Sequence, residues 1–257
     1  MKMNDHVDLN ADMGESFGDW RMGNDEALLD IVTSANIACG FHAGDADVMA
    51  RTMRMAAHRG VGIGAHPGFA DLQGFGRRRM QLPPDSLQNL VRYQLGAAQA
   101  MARAQGSRVR HFKLHGALAN MAAQDAGMAR LCYEAALEVA PDIILVVLAG
   151  TPMQQVAQEL GATWAGEIFA DRAYNDDATL VDRSREGAVI HDAQAAAERT
   201  VAMVKAGAII AESGRSIPVR IDTICLHGDT AEAVEIARHT RARLSEAGVR
   251  LQRMLSV

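Results

Sequence analysis

Val7-Asp8-Leu9-Asn10-Ala11-Asp12 alternates apolar and polar side chains without a break. Successive side chains of an extended strand point to opposite faces, so Val7, Leu9 and Ala11 share one face and Asp8, Asn10 and Asp12 the other. Two later stretches repeat the pattern. At 111–115, His111, Lys113 and His115 oppose Phe112 and Leu114; at 223–227, Thr223, Cys225 and His227 oppose Ile224 and Leu226. Strands of an open parallel sheet carry helices on both faces and read as continuous apolar runs. Strands with one polar face need another enclosure. A ring with helices outside and polar side chains inside supplies it.

Working outward, β-like runs occur at 7–12, 34–39, 61–66, 111–115, 143–149, 163–170 and 223–227. Helix-like stretches at 46–59, 86–105, 126–139, 153–160, 193–206 and 231–247 separate most of them. The clearest helix places Leu87, Leu90, Val91, Leu95, Ala98 and Met101 on one stripe. Gly60, Gly106, Gly161, Gly207 and Gly248 follow helix-like stretches and read as C-caps, because glycine accepts the left-handed conformation that closes a helix. No linker or low-complexity segment divides the chain. The expectation is an α/β fold, a distorted (β/α) barrel of about seven parallel strands occupying residues 1–257 as one domain.

The composition narrows the function classes. Of 257 residues, 49% are hydrophobic and 22% charged, which is globular. The net charge of −5 and the 4% aromatic content argue against nucleic-acid binding. No apolar run approaches a membrane span, and the first residues show no signal peptide. Cys39, Cys132 and Cys225 are odd in number and widely spaced, which reads as reduced thiols in the cytoplasm.

Ionisable residues gather where strands end. Asp12 ends the first run, with Glu15 just after it; His42 and Asp45 follow the second, and His66 ends the third. Lys113 and His115 end the fourth, Glu167 lies in the sixth with Asp171 beyond it, and His227 and Asp229 end the seventh. Active sites of barrels sit at the carboxyl ends of the strands. Asp12, His66, Lys113 and His115 are therefore read as catalytic or ligand residues. For Asn10, Glu15, Asn36, His42, Glu167 and His227, a binding role stands beside a structural one. Asp45 reads as the cap of the helix after it, and Asp71 as a turn residue. His58, His191 and His239 read as surface residues, and His6 and His111 lie at the far ends of their strands. A P-loop and a nucleophile elbow are both absent from the sequence. Asp12, His42, His66 and His115 also have the donor types to supply three metal ligands with an open position, so a metal site and a metal-free acid/base site both stand.

These residues sit in motifs that resemble the LamB/YcsF family, the A subunits of bacterial ATP-dependent 5-oxoprolinase. The resemblance spans essentially the whole chain. It rests on Asp8-Leu-Asn-Ala-Asp-Met-Gly-Glu15, Ser34-Ala-Asn-Ile-Ala-Cys-Gly-Phe-His-Ala-Gly-Asp45, Gly64-Ala-His-Pro-Gly-Phe69, Lys113-Leu-His-Gly-Ala-Leu-Ala-Asn120, the stretch from Glu167 to Tyr174, and Leu226-His-Gly-Asp229. Leu114 stands where the family suggests proline, and Ala119 where it suggests tyrosine. The resemblance implies a cytoplasmic hydrolase that opens 5-oxo-L-proline to L-glutamate, with ATP as co-substrate and Mg2+. It also implies partner subunits B and C and a polysaccharide deacetylase-like barrel. Within that chemistry, His66 or Asp12 is the base for water, and Lys113 and His115 stabilise developing charge. Arg183 or Arg185 holds the substrate carboxylate, unless both lie on a solvated loop. Two other readings remain: a metal-dependent amide or N-acetyl hydrolase working without ATP, and a non-catalytic scaffold protein of the complex.

Overall fold

In the computed structural model, which describes residues 6–227 and 232–254, the alternating first strand does become part of a closed ring. In chain order the elements are β1 (His6–Met13), α1 (Asp25–Leu29), β2 (Ser34–Ala38), α2 (Ala46–His58), β3 (Gly62–His66), α3 (Pro84–Ala104) and β4 (Val109–Lys113). There follow α4 (Gly116–Ala122), α5 (Ala126–Val139), β5 (Ile144–Leu148), α6 (Pro152–Glu159), β6 (Trp164–Phe169) and α7 (Ala193–Ala206). The chain ends with β7 (Ala208–Ile210), β8 (Ser216–Pro218), β9 (Thr223–Leu226), α8 (Ala233–Glu246) and β10 (Arg250–Leu251). Seven strands, β1 to β6 and β9, pair in parallel, and β1 closes the ring by pairing with both β2 and β9. Closure leaves those strands no open edge. The short β10 extends the start of β1, and β7 and β8 form a separate antiparallel hairpin.

The apolar strand faces turn outward to the helices. Leu9, Ala11, Phe112, Leu114, Ile224 and Leu226 are all buried, as are Leu87, Val91, Leu95 and Ala98 of α3. Each large apolar side chain buried there contributes about 1.5–3 kcal/mol. The five expected C-cap glycines all adopt left-handed conformations, with φ between +58° and +80°. Asp45 caps α2 by accepting from Asp47 and Val48 N–H, as expected.

Four features have no counterpart in the sequence pattern: α1, α4, the β7–β8 hairpin and β10. Each is short, and short elements carry too few side chains to show a period. The fourth strand also sits two residues earlier than expected. His115 N–H donates to the Pro67 carbonyl instead of a strand neighbour, and Gly116 at φ +53° turns the chain into α4. His115 is thus the residue before a helix, not the end of a strand.

Polar side chains fill the barrel in layers. At the floor, the Asp8 carboxylate accepts from Thr33 Oγ1 (2.7 Å), Ser34 Oγ (2.6 Å) and Thr223 Oγ1 (2.5 Å). Above it, Asn36 Nδ2 donates to Asn10 Oδ1 (2.6 Å) and Asp12 Oδ1 (2.9 Å), and Asn36 Oδ1 meets His111 Nε2 at 2.8 Å. Asn10 Nδ2 donates to Thr223 Oγ1 (2.6 Å) and Glu167 Oε1 (3.1 Å). This satisfied network is the base on which the upper layer stands.

Candidate active site at the barrel mouth

A cavity of about 420 Å3 opens at the carboxyl ends of the strands. Asp12, His66, Lys113, His115, Glu167 and His227, from five different strands or their ends, share its wall. Asn10 and Asn36 do not line it; they lie in the layer below and orient Asp12 and Glu167. Arg183 lines the cavity, whereas Arg185 points to the surface and pairs with Glu212 at 2.8 Å. Asp229 falls outside the described residues.

A buried ion-pair group occupies the centre. Lys113 Nζ lies 2.7 Å from Asp12 Oδ1, 3.5 Å from Glu167 Oε1 and 3.0 Å from Cys225 Sγ. Burial opposes charge on Asp12, but His66 and Lys113 outweigh it and hold the carboxyl well below the usual range. Burial likewise works against the Lys113 ammonium, yet Asp12, Cys225 and Glu167 keep it well above the ordinary lysine value. Glu167 differs. Burial pushes its carboxyl up to about 7, and the opposing pull of Lys113 is only partial. The two carboxylates on one lysine are thus pushed in opposite directions, Asp12 down and Glu167 up, a pattern suited to acid/base work.

Beside this group stand four potential metal donors. His66 Nδ1 lies 2.8 Å from the Lys113 carbonyl, and His115 Nε2 lies 2.8 Å from the Phe75 carbonyl. A carbonyl only accepts, so both of those ring nitrogens carry protons. The remaining nitrogens, His66 Nε2 and His115 Nδ1, face each other at 3.0 Å. The His42 ring stacks on His115 at 3.7 Å, and neither of its buried nitrogens has a hydrogen-bond partner among the described residues. Burial, then crowding by neighbouring histidines, keeps His42 and His115 well below the ordinary histidine value. Glu15 completes the group, and one donor atom from each of the four residues lies within 4.8 Å of the others. Glycine makes room for it: a Cβ on Gly68 would lie 2.7 Å from His42 Nδ1, and one on Gly76 2.8 Å from His115 Cδ2.

A third group lies across the cavity. His227 Nδ1 donates to Asp171 at 2.7 Å, and Arg183 donates to His227 Nε2, also at 2.7 Å. The guanidinium has only donors, so His227 bridges Arg183 and Asp171. Asp171, against the rise that burial alone would cause, is held low by His227. Arg77, Arg79 and Arg172 also line the cavity, and nothing in the sequence pattern singles them out by role. Arg77 lies over the Phe75 ring at 4.8 Å. The signal available for it was the run Arg77-Arg78-Arg79 directly after the turn glycines Gly74 and Gly76; the middle member instead pairs with Asp71.

Known proteins share this architecture. The model of the LamB/YcsF family matches residues 7–257. A relative from Ruegeria pomeroyi, named as the A subunit of 5-oxoprolinase, is 68% identical over 243 residues, covering 95% of this chain and 96% of its own. A crystal structure of a lactam utilization protein from Thermus thermophilus superposes with a TM-score of 0.90 at 42% identity, covering 97% of this chain and 100% of that one. A deacetylase solved with substrate shares the barrel at a TM-score of 0.51 and 16% identity, covering 96% of this chain and 86% of that one; this likeness concerns the fold alone. The match of both the sequence pattern and the barrel across nearly all of its length means that the chain belongs to the LamB/YcsF family.

Proposed function

We propose that this chain is the A component of a cytoplasmic 5-oxoprolinase, a hydrolase that opens the lactam of 5-oxo-L-proline to L-glutamate with hydrolysis of Mg2+-ATP, in concert with subunits B and C. Residues 1–257 act as one catalytic barrel domain. The observation that carries the reading is the cavity's charge plan. An ionised carboxylate and a retained ammonium sit at its floor, with Arg77, Arg79 and Arg183 on its wall. Such a pocket favours a small anion, and a lactam bearing a carboxylate and then a phosphoryl group is one.

A five-membered lactam is a poor electrophile. Transfer of a phosphoryl group from ATP to its oxygen activates the ring carbon. Water then adds to that carbon and loses a proton to Asp12, which is ionised and faces the cavity. The ring C–N bond breaks as nitrogen takes a proton from Glu167, and a second water releases phosphate from the resulting acyl phosphate. Lys113 stabilises the developing negative charge. Arg183 binds the substrate carboxylate; Arg185 is committed to Glu212. His66 suits the base role less well than Asp12, because its Nδ1 is held by the Lys113 carbonyl and its Nε2 faces His115. A scaffold role fits poorly with so many buried charges, which are costly to desolvate.

The test is glutamate formation from 5-oxoproline by the purified chain alone and with subunits B and C, with and without ATP. ATP-dependent turnover only in the complete mixture supports the reading. Turnover by the chain alone without ATP would instead favour a metal-dependent amide hydrolase, a second reading for which the Glu15 and histidine group speaks.

A further inference from the structure

We propose that Glu15, His42, His66 and His115 form a binding site for one divalent transition-metal ion of the zinc class. A pair of facing ring nitrogens marks the place. With His66 Nδ1 and His115 Nε2 committed to the Lys113 and Phe75 carbonyls, His66 Nε2 and His115 Nδ1 face each other across 3.0 Å, and His66 Nε2 also lies 3.3 Å from Asp12 Oδ2. Two ring nitrogens at that separation need a proton or a metal cation between them. Two imidazole ligands of a tetrahedral zinc ion stand roughly 3.3 Å apart, given Zn–N bonds of about 2.0–2.1 Å. The pair is already close to that spacing.

His42 points to the same place independently. Among the described residues both nitrogens of its buried ring lack a partner, and an orphaned buried polar group costs free energy that a ligand removes. The ring lies at the edge of the same cluster, stacked on His115. The surrounding shell also has the form that metal histidines adopt. A ligating imidazole usually donates its second N–H to a backbone carbonyl or a carboxylate, which fixes the tautomer and the ring plane; His66 and His115 both do so. Gly68 and Gly76 leave the space in which the two stacked rings sit.

The donor set also decides the type of ion. Three imidazoles and one carboxylate suit zinc and its first-row neighbours, whereas magnesium and calcium prefer all-oxygen sites. The structure puts Glu15, not Asp12, with the three histidines. Asp12 faces the edge of the cluster, with Oδ2 3.3 Å from His66 Nε2 and Oδ1 held by Lys113 at 2.7 Å. The metal site requires no particular substrate, so it stands or falls apart from the 5-oxoprolinase reading.

The experiment uses the full, untagged chain, stripped with a chelator and then titrated with Co2+ and Zn2+. The expected results are close to one ion bound per chain, a visible Co2+ ligand-field band, and a higher melting temperature with Zn2+. Glu15→Gln keeps the side chain's shape and removes its charge; it should melt like the stripped parent but lose most of the Zn2+ shift. His42→Ala should lose the Co2+ band. If His42→Ala fails to fold, Glu15→Gln decides alone. A folded parent chain with no band and no Zn2+ shift overturns the proposal and means that a proton bridges His66 and His115. Binding that is unchanged in Glu15→Gln overturns it as well, because the ion then sits elsewhere.

Discussion

Asp12 and Lys113 are each about as buried as a core leucine, with only 6% and 4% of their surface exposed. Removing one partner of such a pair strands the other charge in a low-dielectric interior, which costs about 3–5 kcal/mol. Lys113→Met and Asp12→Asn should each lower stability by that order. The double variant should recover part of the loss, read as a non-additive cycle in urea unfolding. In the assembled enzyme, both single variants should also lose turnover by ~100-fold or more. Glu167 adds a pH signature. Its folded value of about 7 lies above its ordinary 4.5, so the folded state holds a proton that the unfolded state has released. Its contribution to stability is therefore complete below pH 4.5 and is lost as pH rises through 7. Lys113 from β4 and Asp12 from β1 face this group, and both keep their charge throughout that window. The stability of Glu167→Gln relative to the parent should rise across this interval and level off above it, as measured by urea midpoints at a series of pH values. At the cavity wall, Arg183→Ala should raise KM for 5-oxoproline by about tenfold or more, the loss of one charge-assisted contact. Arg185→Ala should leave it unchanged.

At the level of the element, two glycines make opposite predictions. Gly166 lies in β6, where an added Cβ would overlap the carbonyl oxygen of Arg220. Backbone cannot swing aside as a side chain does, so Gly166→Ala should cost about 1–3 kcal/mol or more. Gly96 lies inside α3, and a Cβ there meets nothing within 4 Å. Gly96→Ala should therefore stabilise the protein by about 0.5–1 kcal/mol, since alanine loses less backbone freedom in a helix. Thermal unfolding of the two variants should bracket the parent. The same elements show which sequence signals carry far. Helices α5 and α7 match their expected bounds because a capping aspartate precedes each, Asp125 and Asp192, and each holds a full amphipathic stripe. The two-residue β10 depends on pairing with β1 and has no local signature.

At the scale of the molecule, the closed ring collects groups from separate strands into one mouth, and no helix among the described residues is long and apolar enough to cross a membrane. The sequence holds no P-loop for ATP. The isolated chain should then open 5-oxoproline at a small fraction of the complete enzyme's rate. Glutamate formation measured before and after adding the partner subunits checks this, and matching rates would remove the need for them.

Near neighbours along the chain are enough to set the period of each element and the face on which a side chain lies. Alternation in Val7 to Asp12 set strand, face and barrel interior together, because its period is a property of extended backbone. The same alternation put Asp12, Lys113 and His227 on inward faces, and the structure brings all three to one cavity. Which of those groups act on each other depends on contacts between distant parts of the chain. Glu15 joins the three histidines, while Asp12 is engaged by Lys113, 101 positions along the chain. Arg183 rather than Arg185 reaches the cavity, where it meets His227, 44 positions away at another strand end. Charge pairing and burial act through space at a few ångströms, and no spacing along the chain encodes which distant residue arrives there.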